Sequence, residues 1–87
     1  MSNYICQPRM TKSGVAFTVV DGGDERECLI SKEALRKVAL MKNVDASDAE
    51  PMDIFHAFEG TIDSAARRLI ATNSFSPLIL LRPESFL

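Results

Sequence analysis

Apolar and polar residues alternate over residues 14–20. Val15, Phe17 and Val19 fall on one side and Ala16, Thr18 and Val20 on the other, which is the two-residue period of a β-strand. Asp21-Gly22-Gly23-Asp24 follows, and these residue types tolerate the positive φ that a tight hairpin connection demands. Residues 25–30 resume the alternation, with Arg26, Cys28 and Ile30 opposite Glu27 and Leu29, so the pattern predicts an antiparallel hairpin. Upstream, residues 4–6 predict a short additional strand ending before Pro8, and residues 9–13 read as a polar connection.

The period then changes from two to near four. Ser31 stands where its hydroxyl can accept the free amide hydrogens of a first helical turn, and Ala34, Leu35, Val38, Ala39 and Met41 recur at helical spacing. A helix over residues 32–41 follows. Residues 43–49 are small and polar, and Pro51, whose ring pre-sets φ for a first helical turn, predicts the start of a second, longer helix ending at Asn73 and Ser74. At about 100° per residue its apolar stripe is Ile54, Phe55, Phe58, Ile62, Ala65, Ala66 and Leu69, and His56, Gly60, Asp63 and Arg67 gather near the opposite pole. Phe58 and Leu69 are accordingly expected in the core, and Gly60 is expected to mark at most a slight bend. The run Leu78-Ile79-Leu80-Leu81, fenced by Pro77 and Pro83, is too short for a helix and predicts a strand. The fold class expected is α+β: a two-layer ββααβ domain with an antiparallel or mixed sheet of three to four strands packed against two helices. All 87 residues form one domain.

Composition removes several functional classes. Ten Lys and Arg against twelve Asp and Glu give a formal charge of −2, so no global positive field draws the chain to phosphate backbones or anionic lipid. No apolar run approaches the roughly 20 residues that span a bilayer, and the start Met-Ser-Asn-Tyr-Ile-Cys lacks the apolar core of a secretory signal, so a cytoplasmic protein is expected. Two cysteines, Cys6 and Cys28, are too few for a disulfide scaffold and read as free structural thiols.

Candidate chemistry is thin. His56 is the one histidine, and with Glu59, Asp63 and Arg67 along the same helix it reads as a solvated charged face rather than a metal or catalytic site. Cys28 lies three residues before a helix N-terminus, where thiolates are activated, but the stripe that aims His56 at solvent leaves it without a base. Gly22 and Gly23 sit in a hairpin and do not join a strand to a helix with phosphate-binding spacing. Lys32, Arg36, Lys37 and Lys42 cluster around the first helix and Arg67 and Arg68 on the second, which reads as ordinary solubilising charge. No catalytic residue, cofactor or metal ligand is assigned.

One feature is in excess. Helices covering one sheet face should leave the other polar, yet Ala16, Val20 and two of the four residues Leu78, Ile79, Leu80 and Leu81 must point away from the helices. Val20 and these four residues form the candidate interaction surface. It is covered either by a partner or by the chain itself, through the N-terminal segment or the tail Ser85-Phe86-Leu87.

Taken together, Val15-Ala16-Phe17-Thr18, the stretch Glu27-Cys28-Leu29-Ile30-Ser31 leading to Ala34-Leu35, and the helical positions Ile54, Phe55, Ile62, Ala66, Leu69 and Ile70 form a recognisable pattern. It resembles the small bacterial proteins of domain-of-unknown-function family 1488, over about residues 14–82. The resemblance implies a compact α/β fold in a bacterial cytosolic protein and transfers no catalytic or ligand residue. The function expected is a non-enzymatic protein-interaction or self-association module, with a protein partner or homodimer and neither nucleic acid nor membrane. The alternative is a small nucleic-acid-associated regulator using the basic first helix, and the third reading is a Cys28-dependent or small-ligand enzyme.

Overall fold

The computed structural model describes residues 4–21, 23–44, 48–72 and 76–86. Strands β1 (Tyr4–Met10), β2 (Gly14–Asp21) and β3 (Asp24–Ser31) form an antiparallel meander. A fourth strand, β4 (Leu78–Leu81), pairs with β3 in parallel, so the sheet is mixed, in the order β1-β2-β3-β4. The hairpin between β2 and β3 keeps strict register from Gly14 opposite Ser31 to Asp21 opposite Asp24, with Gly23 at φ 93° in the connection. The alternation carries through to burial: Val15, Phe17, Val19, Cys28 and Ile30 all point into the core.

The first strand is longer than its sequence predicts. It passes through Pro8, and Arg9 and Met10 pair with Ala16 and Val15 instead of belonging to the connection. The register shifts between Cys6 and Arg9, which is where Pro8 falls. A proline lacks the amide a ladder needs, and an edge strand tolerates it at such an irregularity.

Helix α1 (Lys32–Met41) begins as expected, with the Ala34 amide donating to Ser31 Oγ at 3.1 Å. It ends in a Schellman arrangement: Asn43 takes φ 58°, its amide donates to the Leu40 carbonyl and the Val44 amide to the Ala39 carbonyl. Met41, expected on the apolar face, is exposed together with Leu40 and Val44. The expected second helix is two helices, α2 (Pro51–Ala57) and α3 (Glu59–Thr72). The break falls at Phe58, with φ −123° and ψ 30°, two residues before Gly60. The Phe58 amide donates to the Ile54 carbonyl and the Ile62 amide to that of Phe58, so hydrogen bonds close the end of one helix and open the next at the bend. The C-terminal end expected at Asn73 and Ser74 lies outside the described residues.

The bend redistributes the stripe. Ile54, Phe55, Ile62, Ala65 and Ala66 are buried as expected, Ile70 joins them, and Phe58 and Leu69 are only partly buried against the core. Phe55 of α2 meets Phe17 of β2 in a tilted arrangement with ring centroids 5.0 Å apart, one of the contacts between the two layers. Asp63, placed at the exposed pole by a straight-helix projection, is largely covered: its side chain is 20% exposed and its Oδ2 lies 2.7 Å from the Arg67 guanidinium. After β4, a 3-10 turn (Pro83–Phe86) packs against α1 and buries Phe86 in the core.

Candidate interaction surface

Strand β4 is an edge. It pairs with β3 on one side, and among the described residues the sheet order places no strand on the other. Its four residues alternate: Ile79 and Leu81 are buried under the helices, and Leu78 and Leu80 face outward, 47% and 43% exposed. Of the five residues expected at the surface, Leu78 and Leu80 therefore lie open, Val20 is half-buried on the same face, and Ile79 and Leu81 are core residues that contribute only backbone to the edge. An all-apolar run cannot show this parity in sequence. Pairing with β3 fixes it, because Ile79 sits beside Cys28 and Leu81 beside Ile30, both inward-facing.

The registers extend Leu80 into a row. Leu80 neighbours Leu29, which neighbours Ala16, so an apolar band crosses β4, β3 and β2 on the face away from the helices. The next row, Leu78, Glu27 and Thr18, turns polar. Glu27 accepts from Thr18 Oγ1 at 3.0 Å and from the Arg9 guanidinium at 3.1 Å, and Thr18 is buried beneath these longer side chains. One half of the outer face is thus roofed by its own charged side chains and the β4 half is bare. Around the edge, Leu69, Ser76, Leu78, Ile79, Leu80 and Arg82 line an open groove of about 310 Å³.

Neither expected form of self-cover applies among the described residues. The N-terminal segment is itself the opposite edge strand, and the tail folds onto α1 on the helix side, with Phe86 inside the core. Sequence reasoning also missed a second apolar patch, Leu40, Met41 and Val44 at the end of α1, which adjoins residues 45–47 outside the described residues.

The residues considered for chemistry are not brought together. Cys28 is a free thiol with no exposed surface, and its Sγ lies 3.7 Å from the Arg26 carbonyl. Burial, then the negative charges of Glu27 and Asp63, push its pKa from 9.0 up to about 12, which holds it as the protonated thiol at neutral pH. His56 is exposed on α2, with its Nδ1 3.4 Å from Glu59 Oε2. No group of three or more His, Cys, Asp or Glu side chains among the described residues is placed to hold a metal ion. Of the basic residues near α1, Lys32, Arg36 and Lys42 are exposed and Lys37 is half-buried. No helix among the described residues is long and apolar enough to cross a membrane.

The raised pKa has a testable consequence. A thiol held neutral by folding stabilises the native state below its unfolded pKa, and that contribution is lost as pH rises from about 9 towards about 12. The parent should therefore lose up to ~4 kcal/mol relative to Cys28→Ala over that interval in urea titrations. A pH-independent difference between the two proteins would mean that Cys28 is solvated.

A three-stranded meander extended by one parallel strand, with all helices on one face and an open apolar edge, defines the class: a small α+β domain with one helical layer. The family model described as "Protein of unknown function (DUF1488)" matches residues 8–80, and the chain belongs to that family. Neither a curated protein nor a solved structure matches it.

Proposed function

We propose that this domain is a non-enzymatic self-association module that works through the edge and outer face of β4. The observation that carries the reading is the pair Leu78 and Leu80, both exposed and continuous with Leu29 and Ala16, on a strand with one side unpaired. An apolar edge strand is the usual template for pairing with another chain, and proteins that remain single normally blunt such an edge with charge, proline or a covering element. Here the opposite edge carries Pro8 and Arg9, which pairs with Glu27, whereas the four residues of β4, Leu78–Leu81, include neither charge nor proline, Pro77 and Arg82 lying just outside them.

Leu80→Asp is the direct test. The substituted side chain faces solvent, so the circular dichroism spectrum and melting should stay close to those of the parent. The parent should sediment above monomer mass at about 100 μM, a concentration that detects contacts in the micromolar range, and the variant as a monomer. A parent that stays monomeric there refutes self-association. The nucleic-acid reading draws less support, because Lys37 is half-buried and the Arg67 guanidinium is held by Asp63.

A further inference from the structure

We infer that the chain seated on β4 is a second copy in antiparallel register, with the two-fold axis passing midway between the two Ile79 residues, so that Leu78 of each copy faces Leu80 of the other. This rests on the self-association proposed above and specifies its geometry.

Three observations lead to it. The first is parity. A two-fold axis perpendicular to a continuous sheet keeps each face on its own side, so residues directly opposite must share a face, and the axis must pass midway between the two copies of one residue. Within Leu78–Leu81 the central choices are Ile79 and Leu80. An axis at Leu80 sets Leu78 against Arg82 of the other copy, leaving a leucine opposite a guanidinium. An axis at Ile79 sets the two outward leucines against each other twice.

The second is continuity. In the Ile79 register the row Thr18, Glu27, Leu78 runs on into Leu80, Leu29 and Ala16 of the second copy, so the bare half of each outer face borders its equivalent. Four leucines then form one patch across the seam. Ile79 meets Ile79 on the inner face, near the groove where Leu69 of α3 lines the edge.

The third is charge. Glu27 pairs with Leu78 and the two strands run parallel, so exposed Glu25, two residues earlier on β3, lies toward the entry end of β4. Exposed Arg82 follows directly at its exit. The edge is therefore acidic at one end and basic at the other. Antiparallel pairing about Ile79 brings the Arg82 end of one copy to the Glu25 end of the other. Each dimer has two such meetings. Parallel pairing would instead set like charge against like.

Cysteine pairs read the register directly. In a Cys6→Ser background, Leu78→Cys mixed with Leu80→Cys should oxidise to the mixed disulfide, because residues directly opposite have Cα atoms about 4.5–5.5 Å apart, inside the range a disulfide spans. Neither variant alone should cross-link, since the self-pairs lie diagonally, beyond about 7 Å. Arg82→Glu should raise the dimer dissociation constant at least about tenfold, and Glu25→Arg added to it should restore most of the loss. A parent that dimerises while Leu80→Cys alone cross-links, or while no pair does, overturns this register and leaves self-association standing. A monomeric parent overturns both.

Discussion

Phe55→Ala should cost about 3–5 kcal/mol, the largest loss expected from any single truncation in this domain. Phe55 is fully buried, and its ring meets Phe17 at 5.0 Å and 52°, a tilted geometry that adds ~1 kcal/mol to area burial. The position is also mechanical. Helix α2 has seven residues and anchors itself by two buried side chains, Ile54 and Phe55, so truncation removes half of what holds a helix too short to persist alone. A chain of this size holds on the order of 5–10 kcal/mol in all. Thermal melting should fall by roughly 15–30 °C, or the variant should be unfolded at room temperature. A melting point within a few degrees of the parent would mean that α2 does not dock on β2.

Gly14→Ala should be nearly as damaging, although it adds only one methyl group. Gly14 lies at φ 157°, opposite Ser31, and a Cβ built on it would overlap the backbone carbonyl oxygen of Ile30. Backbone cannot step aside as a side-chain tip can. The surrounding turn is also tightly bonded: the Gly14 carbonyl accepts from the Thr11 amide at 2.8 Å, the Gly14 amide donates to Thr11 Oγ1 at 3.1 Å, and the Lys32 amide donates to the Ser13 carbonyl at 3.2 Å. Pushing Ile30 away shifts Ser31, and with it the cap of α1. A loss of ~3 kcal/mol or more in urea denaturation is expected, from strain and a disturbed cap together. Unchanged denaturation would show that the first turn has slack the hydrogen bonds do not reveal.

The elements legible in sequence are those in which local preference and tertiary demand agree. The hairpin of β2 and β3 follows from alternation and a Gly-rich turn, and the start of α1 follows from Ser31, because both signals act within a few residues. What was hidden depends on distant contacts. Pro8 reads as a stop because a proline removes a donor, yet at an edge irregularity that donor is not required. Phe58 reads as core on a straight helix, and the bend at that residue leaves it half-buried and turns Ile70 inward. Asp63 reads as solvated, but α3 lies close enough to the sheet to cover it. The candidate surface was legible as a surplus of apolar residues without its address. Leu78 and Leu80 differ from Ile79 and Leu81 only through their register on β3, and nothing within the run itself encodes that register.

The parallel placement of β4 also fixes an order of events. The meander β1 to β3 is made of adjacent segments, so its contacts close short loops, whereas β4 must return across residues 32–77 to reach β3. During synthesis the segments of the meander are therefore available to pair before the last strand has been made. Until β4 arrives, the free side of β3 presents an unsatisfied backbone and Leu29 to the surroundings.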